Sequence, residues 1–326
     1  MNEEKLTQEL RLKLREDGYE SRTVSAEHVP DLREGIEGSR VRGLLNTELY
    51  QEYLSGFSFK PTDVLSDARS LVVVAVPQPQ VRVVFTHEGQ PRSVIIPPTY
   101  AHGTDKKVED ILSSVLNAAG YHAARAALPL KLLSVRSGLG EYGRNNICYV
   151  SGMGSFVRLA AFYTDLPCSE VSWREPRMLD RCQDCRACLN VCPTGAIASD
   201  RFMIRAERCI TFRNERLAGF PSWIEPSWHN CIVGCLHCQR ACPENRHLVK
   251  WLEGDHEFSE DETALILSST PAKRLPSETA KKLERLDIIE YADVLGRNLA
   301  ALLWRQEPSS PLDSQTNAPL LSSHNQ

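Results

Sequence analysis

Nine of the 11 cysteines in the chain fall between positions 182 and 242. The first run reads Cys182-Gln-Asp-Cys185-Arg-Ala-Cys188-Leu-Asn-Val-Cys192-Pro193. The second reads Cys231-Ile-Val-Gly-Cys235-Leu-His-Cys238-Gln-Arg-Ala-Cys242-Pro243, and Cys209 lies between the two. Thiolates spaced C-x2-C-x2-C-x3-C-P are the ligand pattern of bacterial ferredoxins. Three of them wrap irons of one 4Fe–4S cubane, and the fourth reaches the other cluster. Zinc asks for four ligands, usually as two separated pairs, whereas here four cysteines crowd into one short run that is nearly repeated. Disulfide frameworks belong to secreted chains, and the start, Met1-Asn-Glu-Glu-Lys5, shows no basic segment followed by an apolar run. Two four-thiolate clusters leave one of the nine cysteines spare. Cys231 and Cys235 are separated by three residues rather than two, so the spare one is Cys231 or Cys209. Crossed ligation gives one cluster Cys182, Cys185, Cys188 and Cys242. The other takes Cys192, Cys235, Cys238 and one of the contested pair.

The rest of the chain must hold these cysteines. It has 326 residues, 42% hydrophobic, enough for one large domain or two modest ones. A net charge of −4 gives no nucleic-acid footprint, although a local basic face fits within an acidic total. No stretch has the length of a membrane span, and exposed clusters with free thiols suit a reducing, cytoplasmic location. Cys148 and Cys168 read as small buried hydrophobes. Leu6, Leu10, Leu12 and Leu14 mark an amphipathic helix over residues 4–17 that stops at Gly18. Leu71 to Val76 is a buried strand ended by Pro77. Val81–Phe85 and Ser93–Ile96 form a hairpin around Glu88-Gly-Gln-Pro91, and Val108–Ala119 is a helix ended by Gly120. Gly138-Leu-Gly-Glu-Tyr-Gly143-Arg-Asn-Asn146 is a glycine-rich turn, and it lacks the Gly-Lys-Ser/Thr of a phosphate loop. Ile147–Val150 and Phe156–Tyr163 read as strands joined through Gly152-Met-Gly154. Arg174 to Arg246 carries eleven arginines and no lysine, which suits paired or partner-facing guanidiniums. Residues 248–304 read as helical, and a Ser/Pro/Asn/Gln-rich tail follows, read as disordered.

In this order the pieces resemble the cobalamin-dependent reductase superfamily, which holds the reductive dehalogenases and the epoxyqueuosine reductases. Ser137-Gly-Leu-Gly-Glu141-Tyr-Gly-Arg144, Gly154-Ser-Phe-Val-Arg158 and Tyr163-Thr-Asp-Leu-Pro167 are similar to the dehalogenase patterns A-G-L-G-E-x-G-R, G-x-x-x-R and T-D-L-P-L. Arg208-Cys209-Ile-Thr-Phe-Arg213 resembles the segment that carries a lone cluster ligand, which favours Cys209 over Cys231. Tyr100, ahead of a helix ending Gly120-Tyr-His-Ala123, resembles the dehalogenase proton donor. Arg158 stands where that family keeps a basic residue. Two stretches depart from the epoxyqueuosine reductases. Their D-x-x-P-x-x-E stretch is here Ala123-Ala-Arg-Ala-Ala-Leu-Pro-Leu130, without an acid, and their D-Y-H-K stretch is Asp105-Lys-Lys-Val108.

The resemblance implies an α+β fold: a nitroreductase-like, mixed-sheet corrinoid- and substrate-binding domain over 1–173, and a ferredoxin-like module with two 4Fe–4S clusters over 174–247. A helical segment over 248–305 and a disordered tail over 306–326 follow. It implies a reductase that takes electrons from a ferredoxin- or flavodoxin-type donor through both clusters to cobalamin, which reduces a small molecule. Tyr100 gives the proton, and Arg158 lowers its pKa and polarises a leaving group. Gly138, Leu139, Gly140, Gly143 and Gly154 line a wall against the flat macrocycle, because positions without side chains let backbone approach closely. No histidine stands in a cobalamin-binding motif, so cobalt is expected without a protein histidine. Two further classes fit the same residues: an electron carrier or corrinoid-protein activase with no substrate of its own, and a tRNA epoxyqueuosine reductase.

Overall fold

The computed structural model describes residues 3–61, 63–101, 103–168 and 172–306. The tail read as disordered lies, from position 307 on, outside the described residues. The architecture is mixed α and β, organised around three apolar cores.

Two of the cores share one sheet. Strands β1 (Glu20–Ser25), β2 (Ser70–Pro77), β8 (Val157–Thr164) and β5 (Ala123–Arg125) lie in the order β1-β2-β8-β5, all antiparallel. β2 is central, and Ser70 to Val76 are all buried. Successive side chains point to opposite faces of a strand, which explains its unbroken apolar run. Leu71, Val73 and Ala75 join one core with Leu133, Leu139, Leu159 and Tyr163. Val72, Val74 and Val76 join the other, where helices Glu3–Glu16 and Thr104–Ala118 bring Leu6, Leu10, Leu14, Val108, Leu112 and Leu116. Both helices occupy the places that leucine spacing and glycine stops indicate.

The third core lies apart from this sheet. β3 (Gln80–His87) and β4 (Gln90–Ile96) form the expected hairpin. Its two-residue turn is Glu88-Gly89, with φ of 53° and 70°, the positive pair that such hairpins prefer. The Glu260 carboxylate accepts both turn amides, at 2.7 and 3.0 Å. β9 (Leu252–Phe258) then adds parallel to β3, giving the order β4-β3-β9. The stretch read as wholly helical from 248 therefore begins with a strand. Its sequence is polar, and it becomes a strand because β3 offers an unpaired edge. Gly254 comes close to the carbonyl of Arg82 at the register shift. Helices Glu260–Leu267, Ser277–Arg285 and Ala292–Gln306 follow and pack on the hairpin, with Phe85 stacked on Phe258 at 4.7 Å. The hairpin, early in sequence, thus shares its core with the C-terminal helices.

Between these bodies lies residue range 174–247, mostly loop with short helical turns such as Ala187–Val191, Ile210–Asn214 and His237–Arg240. It contributes little apolar core, as expected where metal–thiolate bonds supply the folding energy. Among the described residues, no helix is long and apolar enough to cross a membrane.

Candidate iron–sulfur and substrate site

The cysteines fall into two sets. Cys188 is pushed up to about 11 by burial, then by the neighbouring Cys182, Cys242 and Cys185. Cys182, also raised by burial, feels Cys242 and Cys185. In the second set burial raises Cys235 to about 12, and Cys209 and Cys192 add to it. Cys238 is raised by burial first, then by Cys235 and Cys209. Cys242 therefore stands near the first run and Cys192 near the second, the proximity that crossed ligation would require. Cys238 also feels Cys188, so the two sets adjoin.

A cavity of about 320 Å³ opens beside the second set. Cys192, Cys209, Cys235 and Cys238 all line it, whereas Cys182, Cys185, Cys188, Cys242 and Cys231 do not. Cys231 is fully buried and donates to Asn230 Oδ1 at 3.0 Å. Cys209 thus borders the cavity with Cys192, Cys235 and Cys238, and Cys231 does not. Among the described residues no three His, Cys, Asp or Glu side chains converge on a point that could hold a single metal ion.

Tyr100 and Arg158 line the same cavity. Tyr100 ends a short turn, Pro98–Tyr100, ahead of helix Thr104–Ala118. It is buried, packs edge-on against Tyr291 at 5.6 Å, and donates to Glu215 Oε1. Room for its ring comes from Gly234, where an added Cβ would stand 2.6 Å from the phenol oxygen. Gly234 has φ +69°, which favours glycine, and Asn214 clamps it at both peptide groups, at 2.7 and 2.9 Å. Burial, then Glu215, raises the Tyr100 pKa well above the tyrosine range. Arg158 does not offset this. Its guanidinium bonds Asp105 at 2.9 and 2.8 Å and the Thr99 carbonyl at 3.2 Å. The pKa-lowering read for Arg158 is thus corrected: its guanidinium is held by Asp105, a single carboxylate that Arg125 also contacts.

The glycine wall is corrected as well. None of Gly138, Leu139, Gly140, Gly143 and Gly154 lines the cavity. Leu139 is in the core, and a Cβ on Gly140 would meet Cys148 Sγ and the Tyr149 carbonyl at 2.6 Å. A Cβ on Gly143 would meet the Asn145 and Tyr149 side chains at 2.5 Å, and one on Gly154 would strike Asn245 Oδ1. These glycines allow the close hairpin of β6 (Gly140–Tyr142) and β7 (Cys148–Val150). The wall itself is the turn between those strands, Asn145-Asn146-Ile147, continuing into Cys148. Sequence reasoning also passed over Lys131, His237, Gln239 and Glu215. The first three line the cavity, and Glu215 touches it through Tyr100. Lys131 is accessible to solvent, but the surrounding protein disfavours its charge and lowers its pKa.

The wall suits a flat apolar group. Ile147, Val157, Leu159, Ile197, Ile204 and Ile210 surround it, the second thiolate set forms one side, and polar groups from Thr99, Lys131 and Asn145 reach in. A corrinoid edge would fit that chemistry, and about 320 Å³ is less than the whole molecule would need.

Residues 181–245 match the family of 4Fe-4S double cluster binding domains, so this stretch is a two-cluster iron–sulfur module. Over a longer span, the chain is 29% identical to the epoxyqueuosine reductase of Francisella cf. novicida (strain Fx1) across 170 residues, covering 48% of this chain and 46% of that one. The epoxyqueuosine reductase of Escherichia coli (strain K12) is 28% identical over 202 residues, 59% and 51% of the two chains. The chain spans about half the length of the curated relatives it matches. Its fold is shared with a crystal structure of epoxyqueuosine reductase bound to an epoxyqueuosine-modified tRNA-Tyr stem loop, at TM-score 0.65 and 20% identity over 93% of this chain and 82% of that one.

Proposed function

We propose that the chain is a cytoplasmic iron–sulfur reductase of the epoxyqueuosine reductase kind, which uses cobalamin in the cavity between the cluster module and Tyr100. One observation carries the reading: a buried acid side chain, Tyr100, faces the same cavity as all four thiolates of the second set. The clusters, when bound, supply single electrons from a ferredoxin- or flavodoxin-type donor to that cavity. Cobalamin supplies low-valent cobalt as the reductant or nucleophile. The chain's own residues do the rest. Ile147, Val157 and Ile197 exclude water, Asn145 and Lys131 orient polar edges, and Tyr100 holds a proton at its phenol oxygen.

The substrate bond that this arrangement suits is a carbon–oxygen bond of an epoxide. Support comes from the relatives, which are named for reducing an epoxy group, and from the shared fold of a relative solved with a modified tRNA stem loop. The acid-free stretch Ala123–Leu130 sets this chain apart, so the epoxide-bearing partner, tRNA or a small molecule, is identified by assay. The test uses anaerobically reconstituted protein. It should bind cobalamin, seen as a shifted visible spectrum, and with a reduced flavodoxin should convert epoxyqueuosine in a tRNA stem loop. Failure of cluster-filled protein to bind any form of cobalamin refutes the reading and leaves an electron carrier.

A further inference from the structure

We infer that Glu215 is the proton-holding partner of Tyr100: Tyr100 presents a proton to the cavity, and Glu215 restores it through the hydrogen bond between them. The inference rests on the reductase reading above. Removing an epoxide oxygen as water consumes two electrons and two protons, while both carbon–oxygen bonds break and a carbon–carbon double bond forms. The electrons come from the external donor through the clusters. The wall of the cavity must therefore yield two protons per turnover, and a lone tyrosine holds one.

Among the described residues that wall carries no carboxylate. Asp105 stands behind Arg158 and is bound to it. His237 is tied through Nε2 to the Trp228 carbonyl at 3.0 Å and stands next to a cluster cysteine. Glu215 is the carboxyl that reaches the cavity, by way of the Tyr100 hydroxyl. It follows the helical turn Ile210–Asn214, which starts at Cys209, so one short segment brings both a cluster ligand and an acid to Tyr100. Glu215 lines a second, smaller cavity of about 210 Å³, whose wall shares Lys131, Asn146, Ile204, Cys209 and Thr211 with the first. It therefore has a route for proton resupply that does not cross the substrate space.

The charge state of Glu215 sets the direction of the bond. When ionised, its oxygen can only accept, and the tyrosine O–H is turned toward it and away from the cavity. When protonated, its own O–H can donate to the phenol oxygen and free the phenol proton to point at substrate. The Glu215 pKa is raised to about 7: burial raises it most, the Tyr100 hydrogen bond lowers it, Glu290 raises it and Lys131 lowers it. Tyr53 and Tyr291 also face it: burial first raises the pKa of each, and the Glu215 charge adds to that. Arg216, its chain neighbour, is held by Glu48 and Glu52.

The test uses full-length protein with both clusters reconstituted and no cobalamin added. Infrared spectroscopy should show a protonated-carboxyl band that titrates near pH 7 and is absent in Glu215→Gln. Tyr100→Phe removes a hydrogen bond that favours the carboxylate, so it should move that midpoint upward. A band near pH 7 that survives Glu215→Gln, or a Glu215 midpoint below pH 5, overturns the inference. In loaded enzyme, turnover should be level below pH 7 and fall roughly tenfold per unit above it, with that limb lost in Glu215→Gln. If Glu215→Gln keeps the wild-type rate and pH profile, the relay is wrong while the reductase reading stands. If wild type turns over no epoxide, the reductase reading falls and the infrared midpoint still decides where the proton is held.

Discussion

Replacing each contested cysteine by alanine separates a ligand from a packed thiol. Cys231 is fully buried, donates to Asn230 Oδ1 at 3.0 Å, and does not line the cavity. Its truncation loses a weak hydrogen bond, about 0.5–1 kcal/mol, and the burial of one sulfur, roughly 1 kcal/mol. Asn230 Oδ1 keeps the Leu236 amide at 2.8 Å, so no acceptor is orphaned. Cys231→Ala should therefore cost about 1–2 kcal/mol and leave about eight irons per chain. Cys209 stands with Cys192, Cys235 and Cys238 at the cavity. Cys209→Ala removes the thiolate of one iron, so content should fall to about seven where a three-iron cluster survives, or about four where the cluster is lost. Iron and sulfide analysis after anaerobic reconstitution, with electron paramagnetic resonance of the oxidised protein to detect a three-iron cluster, reads both. Retention of eight irons by Cys209→Ala, with loss in Cys231→Ala, would show that the grouping in the structure is wrong.

Three further perturbations test the scaffold. Gly234→Ala puts a Cβ 2.6 Å from the Tyr100 oxygen at a φ of +69°; it should cost about 2–4 kcal/mol in anaerobic thermal unfolding, and an unchanged transition would mean that Tyr100 does not pack there. Asp105→Asn leaves the Arg158 guanidinium without its carboxylate partner; roughly 2–4 kcal/mol should be lost, with part recovered in the Asp105→Asn/Arg158→Met double variant. His229 is held down to about 4, by burial first and then by Arg297. Its folded pKa lies below the unfolded value, so its contribution is intact above about pH 6.5 and is lost as pH falls toward 4. Urea unfolding should show a loss of roughly 1 kcal/mol between pH 7 and 5.5 that is absent in His229→Gln.

What was legible in the sequence was local. Thiolate spacing, leucine periodicity and glycine stops act within a few residues, and the cluster runs, the helices at 3–16 and 104–118 and the hairpin turn all followed from them. β9 was not legible, because a polar stretch such as Leu252-Glu-Gly-Asp-His-Glu-Phe258 becomes a strand only when an edge 170 residues earlier is open to it. The glycine wall failed for a related reason. A glycine in a sequence signals a close approach without saying to what, and at Gly140 and Gly143 the approaching group is the protein's own hairpin. Arg158 lines the cavity, but its partner, Asp105, is 53 residues away, and sequence alone does not show that ion pair. Glu215 gave no signal, lying between arginines in a run that reads as solvated surface.

The position of Tyr100 is decided by the C-terminal core rather than by the sheet it follows. Its ring belongs to the apolar cluster of Ile232, Leu295 and Leu299. Asn298, fully buried on helix Ala292–Gln306, donates to the carbonyls of Asn214 and Ile232, both at 2.8 Å. Asn214 in turn clamps Gly234, which precedes Cys235 and gives Tyr100 its space. One buried chain of amides thus ties the last helix, the Cys209 segment, the Cys235 loop and the tyrosine into a single unit. Buried polar groups of this kind are costly when any member loses its partner, so the loop that carries Cys235 cannot shift without disturbing the space that Tyr100 occupies. Cys235 and Tyr100 are therefore held in register by Asn214 and Asn298, neither of which lines the cavity.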